Sequence, residues 1–118
     1  MGDQRLRSEY RLRLRRDFDR VFRRRATASD GCLLVFACPS ELPHPRLGLS
    51  VSRRIGKAVV RNRWKRLLRE AFRLTREALP SGIDLVVIPR QNTPPRLTQL
   101  LDALPRLAGR AARKCGRR

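Results

Sequence analysis

The stretch from Arg61 to Arg73 interleaves cations with an apolar repeat, and only a helix gives both sets a place. At about 100° per residue, measured from Val60, the apolar residues Trp64, Leu67, Leu68, Ala71, Phe72, Ala78 and Leu79 fall within an arc of about −20° to +120°. Arg61, Lys65, Arg76, Arg69, Asn62, Arg73 and Arg66 fall within about 100° to 240°. Glu70 and Arg63 take the remaining flank, with Glu70 in reach of Arg66 or Arg73. A helix built this way must press one face into a protein core, with Trp64 and Phe72 inside, and hold the other face away from it.

The outward face carries almost one sign. Residues 53–76 hold ten Lys and Arg and a single acid, Glu70. A merely solvated face interleaves signs, because like charges one turn apart repel. A one-sign face points to a polyanion. The whole chain agrees, with 29 Lys+Arg against 10 Asp+Glu, a net charge of +19. Such a charge repels itself in a compact fold unless a partner neutralises it. Nucleic acid is the first candidate partner and an anionic membrane the second. The membrane is disfavoured, because the longest apolar run, Cys32 to Cys38, is far short of the roughly 20 residues a spanning helix needs. The basic N-terminus is not followed by the apolar segment of a signal peptide, so a cytoplasmic location is expected. Arginine far outnumbers lysine, which stands only at Lys57, Lys65 and Lys114. Its planar fork suits phosphate, although a GC-rich genome produces the same bias.

Catalytic and metal chemistry find no foothold. Cys32, Cys38 and Cys115 form no C-x-x-C pair, His44 stands alone in a proline-rich loop, and the acids are scattered. The expectation is no catalytic residue and no metal site in this chain.

Along the chain, residues 1–11 and 111–118 read as flexible basic tails on a single domain spanning 1–118. Asp17 or a neighbour starts a short helix with Phe18, Val21 and Phe22 on one face. Ala26 to Gly31 reads as a small, polar turn. Cys32 to Cys38 is a strand-length run, Pro39 to Pro45 a loop, and Arg46 to Ser52 an alternating strand. Leu47, Leu49 and Val51 face one way there; Gly48, Ser50 and Ser52 form an open face of very small side chains. These two strands suggest an antiparallel hairpin. A basic loop precedes the long helix, expected over Val59–Leu79 and ended by Pro80 and Gly82. Ile83 to Ile88 is a further strand. A last helix follows from Leu97, which Pro105 should kink or split. The order gives an α+β fold, a small sheet with helices packed against it. Asn62 has a low helix propensity; capping the helix and contacting RNA both account for it.

At these residues the chain resembles the protein component of bacterial ribonuclease P. The likeness rests on Arg61-Asn62-Arg63, Lys65-Arg66, Arg69-Glu70 and Phe72-Arg73. It also rests on Arg46 to Arg54 with Gly56 to Val59, on Asp17-Phe18 with Val21-Phe22, and on Ile83 to Arg90, and it spans roughly residues 12 to 110. The resemblance implies a two-layer α/β sandwich with a mixed four-stranded sheet, three helices and a left-handed βαβ crossover. It implies a ribonucleoprotein endonuclease that removes the 5′ leader of precursor tRNA, in which a catalytic RNA does the chemistry with Mg²⁺. The partners implied are that catalytic RNA and precursor tRNA, with no membrane and no small-molecule ligand. By the same resemblance, Arg53, Arg54, Lys57, Arg61, Asn62, Arg63, Lys65, Arg66 and Arg69 dock on the catalytic RNA. Phe18, Phe22 and Phe36, above a floor of Ser50 and Ser52, form the cleft that receives the leader. Without the resemblance, Phe18 and Phe22 read more readily as core. A small basic ribosomal protein is the competing reading; the first-helix phenylalanines, the Ser-bearing strand and the extended basic motif together distinguish the two.

Overall fold

The computed structural model describes residues 6–116. After a 3-10 turn at Ser8–Tyr10 come α1 (Arg15–Arg24), β1 (Ala26–Ser29), β2 (Leu33–Pro39) and β3 (Arg46–Leu49). A second 3-10 turn, Arg53–Ile55, leads into α2 (Ala58–Thr75), which tightens to 3-10 geometry over Arg76–Ala78. Then follow β4 (Ile83–Pro89) and α3 (Leu97–Lys114).

The sheet order is β1-β2-β4-β3. β2 pairs antiparallel with both β1 and β4, and β3 pairs parallel with β4. The expected hairpin of β2 with β3 does not form, because β4 lies between them. Every residue of β4 except Ile88 is buried. A strand apolar on both faces belongs inside a sheet. The short β3 takes an outer place, and α2 supplies the long connection that parallel neighbours require.

The segment expected as a turn at Ala26–Gly31 is largely strand. Its alternation, Ala26 and Ala28 buried against Thr27 and Ser29 outward, uses side chains too small to register as a hydrophobic pattern. The turn itself is compressed into Asp30–Cys32. There Asp30 Oδ1 accepts hydrogen bonds from the amides of Cys32 and Leu33, each at 2.8 Å, an Asx turn.

Helices α2 and α3 bury one face of the sheet. Trp64, Leu68, Ala71 and Phe72 are fully enclosed, against Leu33, Val35, Ala37, Leu47, Leu85 and Val87. Thus Trp64 and Phe72 are core, as the helical arc requires. Helix α1 crosses the other face, where Val21 and Leu12 meet Cys38 and Val86, with Phe18, Phe22, Phe36 and Ile88 packed around them.

Pro105 does not split α3, which runs unbroken through it. A mid-helix proline costs about 3 kcal/mol. Leu100 and Leu104 before it and Leu107 after it are fully buried, and each buried leucine stabilises by about 1.5–3 kcal/mol. Tertiary burial therefore outweighs the lost helical bond.

Residues 6–11 and 111–116, expected within flexible tails, are placed by the fold. Leu6 is in the core, Leu12 N donates to Leu47 O at 2.9 Å, and Arg11 bridges Leu47 in parallel, so this segment continues the sheet beyond β3. At the other end Ala111, Ala112 and Cys115 extend the buried stripe of α3. Residues 1–5 and 117–118 lie outside the described residues.

Candidate nucleic-acid interface

The basic loop is positioned by what it buries. Ile55 inserts into the core while its neighbours Arg53 and Arg54 stand exposed on the 3-10 turn. Gly56 follows at φ +152°, where a side chain would be strained and its Cβ would lie 3.2 Å from that of Val60. The Lys57 carbonyl then accepts from the amides of Val60 and Arg61, at 2.9 and 3.0 Å, and α2 begins. Lys57 itself is exposed.

Along α2, Asn62, Arg63 and Arg66 are exposed, while Arg61, Lys65 and Arg69 are half-buried on the flank. Among the described residues none of the eight cations from Arg53 to Arg69 makes an ion pair. The lone acid is already engaged. Glu70 accepts from Arg73 through both oxygens, at 3.0 and 2.7 Å, and the hydrogen bond from Arg73 holds its carboxyl below the usual range. The pairing with Arg73, rather than Arg66, leaves Arg66 free for an external anion.

Sequence reasoning missed Arg11. The short strand pairing at Leu47 brings it against α2, where it lines a groove of about 780 Å³ with Asn62, Lys65, Arg66, Leu67, Arg69 and Glu70. Its Nε is buried without a hydrogen-bond partner, as is that of Arg61. Burial first, and then the charge of Arg11, lower the pKa of Arg69. Two guanidiniums held together in this way, one of them with a buried donor unmet, suit an anion. The only signal in the sequence was the pair Arg11-Leu12, too short to show a period.

Arg11, Lys65 and Arg69 also line a hollow of about 130 Å³ that reaches Leu6, Leu12, Leu47, Leu49 and Phe18. The cationic groove of α2 therefore opens onto the start of α1. There the sheet presents one row in register: Gly48 pairs with Val86, Val86 with Phe36, and Phe36 with Thr27. Phe18 covers Gly48 so closely that a Cβ would meet its Cζ at 2.8 Å. Phe22 meets Phe36 edge-on, centroids 4.9 Å apart at 86°, and lies 6.4 Å from Phe18. All three rings are half-buried, so each serves the packing of α1 and still shows part of its surface. Ser50 extends the β3–β4 ladder, its amide donating to Val87 O at 3.1 Å, and is half-buried; Ser52 is exposed. The strand expected to reach Ser52 ends at Leu49, where the chain leaves for the basic loop.

The residues offer little to a divalent cation. Among the described residues no group of three or more His, Cys, Asp or Glu could hold one. Asp84, the fully buried acid, is taken by Arg20 and Arg46. Also among the described residues, no helix is long and apolar enough to cross a membrane.

Comparison with known proteins bears on the family and the fold. The family model described as Ribonuclease P matches residues 6–112. A ribonuclease P protein component of Thermotoga petrophila is 38% identical over 108 residues, covering 84% of this chain and 92% of the relative. One from Geobacillus kaustophilus is 40% identical over 87 residues, 73% of this chain and 72% of its own length. Among solved structures, the RNase P protein from Thermotoga maritima superimposes with a TM-score of 0.75 at 35% identity, covering 84% of this chain and 96% of that one. The Staphylococcus aureus RNase P protein gives 0.72 at 32% identity, covering 83% and 91%.

Proposed function

This chain belongs to the ribonuclease P protein family, and from that premise we propose how its surfaces divide the work. It is the protein subunit of bacterial ribonuclease P, an endoribonuclease that matures tRNA 5′ ends. The ribosomal alternative falls away with the family match.

The basic loop and α2 dock on the catalytic RNA. Arg53, Arg54, Lys57, Arg61, Asn62, Arg63, Lys65, Arg66 and Arg69 supply the contacts, with Arg11 added. Unpaired cations gain most from phosphate, because each contact releases counterions. The cleft of Phe18, Phe22 and Phe36 receives the single-stranded leader of precursor tRNA, by stacking and apolar contact, beside Ser50 and Ser52. One observation supports this division: the α2 groove and the hollow under Phe18 share Arg11, Lys65 and Arg69. An RNA backbone can pass from one surface to the other without leaving positive potential.

Among the described residues no acidic cluster would hold a divalent cation; the family reading assigns Mg²⁺ and the bond cleavage to the RNA. The chain binds, orients and screens charge. It acts in the cytoplasm, with precursor tRNA as substrate of the holoenzyme.

Reconstitution tests this reading. The purified chain alone leaves precursor tRNA intact, and added to a bacterial ribonuclease P RNA at low Mg²⁺ it stimulates leader removal. Cleavage by the protein without RNA, or no stimulation, refutes it.

A further inference from the structure

We propose that the outer side of β1 carries a second cationic site, which holds the phosphates of the leader beyond the aromatic cleft. The proposal rests on the leader reading above and extends it to a surface that the basic motif does not include.

The sheet row Gly48–Val86–Phe36–Thr27 runs from β3 to β1 under α1. A strand of RNA that crosses Phe18, then Phe22 and Phe36, next meets Thr27 and leaves the sheet over β1. Two segments distant in sequence converge there. Lys114 Nζ donates to Thr27 O at 2.6 Å, and Arg24 Nη2 donates to Cys115 O at 2.9 Å. These two bonds clip the C-terminal end of α3 to the junction of α1 and β1. Their acceptors are neutral carbonyls, so both positive charges persist.

Three more cations stand beside the clip. Arg23 and Arg25 flank Arg24, with Arg25 turned outward by its left-handed backbone at φ 58°. Arg110 lies one helical turn before Lys114 and one after Arg106, which pairs with Asp30 at the far end of β1, so Arg110 falls along the strand between them. All five side chains are exposed, and among the described residues none pairs with a carboxylate. Arg24 and Lys114 have a structural use, because cations suit a helix C-terminus and a lysine blunts an edge strand. Arg23 shares the last turn of α1 with Arg24 but makes no bond there, and Arg25 and Arg110 have no structural partner among the described residues. Their mutual repulsion is relieved by an anionic chain, and the end of the aromatic row places single-stranded RNA within reach.

The test uses reconstituted holoenzyme and precursors whose leaders are lengthened one nucleotide at a time. The variant R23Q/R25N/R110Q keeps both clip residues, and asparagine tolerates the backbone at position 25. For long-leader precursors it should bind roughly tenfold more weakly than the native chain, with a salt slope shallower by about 2, near 0.7 per single-strand phosphate. Short-leader precursors and mature tRNA should bind equally well to both, as should the catalytic RNA to the free proteins. No loss at any length overturns the proposal. So does an equal loss for mature tRNA, which would assign the patch to the tRNA body. A parallel F18A/F22A holoenzyme separates the two ideas. If it discriminates leader from mature tRNA as the native enzyme does, while the edge variant fails on long leaders, the cleft reading falls and the β1 site stands.

Discussion

Arg46 grips the carboxylate of Asp84 with both arms of its fork, Nε at 2.9 Å and Nη2 at 2.8 Å. Asp84 is fully buried on β4, and Arg20 of α1 reaches the same carboxylate while also donating to Pro39 O at 3.0 Å. One acid thus ties β3 and α1 to the central strand. Burial pulls the Arg20 guanidinium down, and the hydrogen bond to Asp84, together with the Coulombic pull of Cys38, Asp84 and Asp17, more than offsets this. Asp84→Asn leaves two partly buried guanidiniums without their counter-charge. It should cost about 3–5 kcal/mol, the scale for breaking a buried pair, read as a shift of the urea midpoint at unchanged slope.

Gly48 and Phe18 form a closer contact than any side chain at position 48 allows. Gly48→Ala must push the ring off the sheet or shift β3. Overpacking of this kind costs about 1–3 kcal/mol. Because Phe18 sits at the head of the aromatic row, the ratio of precursor to mature tRNA affinity should fall in the holoenzyme. Pairing the change with Phe18→Leu should restore stability without restoring that ratio.

Much of this was legible in the sequence because α2 carries its own wheel. Trp64 and Phe72 are buried, and Arg63 and Arg66 exposed, where a period of 3.6 puts them. The strand order was not legible. Nothing within Cys32–Cys38 or Arg46–Ser52 encodes that a segment thirty residues later is more completely apolar and will displace their pairing. β1 was hidden because alanine buries too little to mark a face. Arg11 was hidden because its role depends on one bridge to Leu47, a contact distant in sequence. The β1 edge was hidden for the same reason, since Arg24 meets Cys115 and Lys114 meets Thr27 through backbone carbonyls distant in sequence.

The β1–β2 turn should respond to acid. Burial pushes the Asp30 carboxyl up; the amides of Leu33 and Cys32, and then Arg106, more than offset this and leave it below the usual carboxylate range. A group lowered in the folded state stabilises above its unfolded pKa and loses that contribution as pH falls through the folded value. The turn should therefore be fully held above about pH 5 and loosen progressively below about pH 4. Hydrogen exchange at the Leu33 amide reports it directly. In Asp30→Asn the protection should be weaker near neutrality and flat across that window.

Arg11→Gln should separate stability from RNA affinity. In the free protein Arg11 repels Arg69, whose pKa is lowered first by burial and then by that repulsion, and the Nε of Arg11 is buried with no acceptor. Removing the charge relieves the first, and the shorter neutral side chain relieves the second. The free variant should thus be as stable as the native chain or slightly more so, within about 1 kcal/mol. With catalytic RNA the sign reverses, because a phosphate satisfies both unmet demands at once. Affinity should drop, and the slope of log affinity against log salt should flatten by about 0.7 to 0.9, the value for one phosphate contact. A structural role alone would lower stability and leave that slope unchanged. Thermal unfolding of the free protein and a salt titration of the complex, made on the same preparation, therefore decide whether Arg11 belongs to the interface.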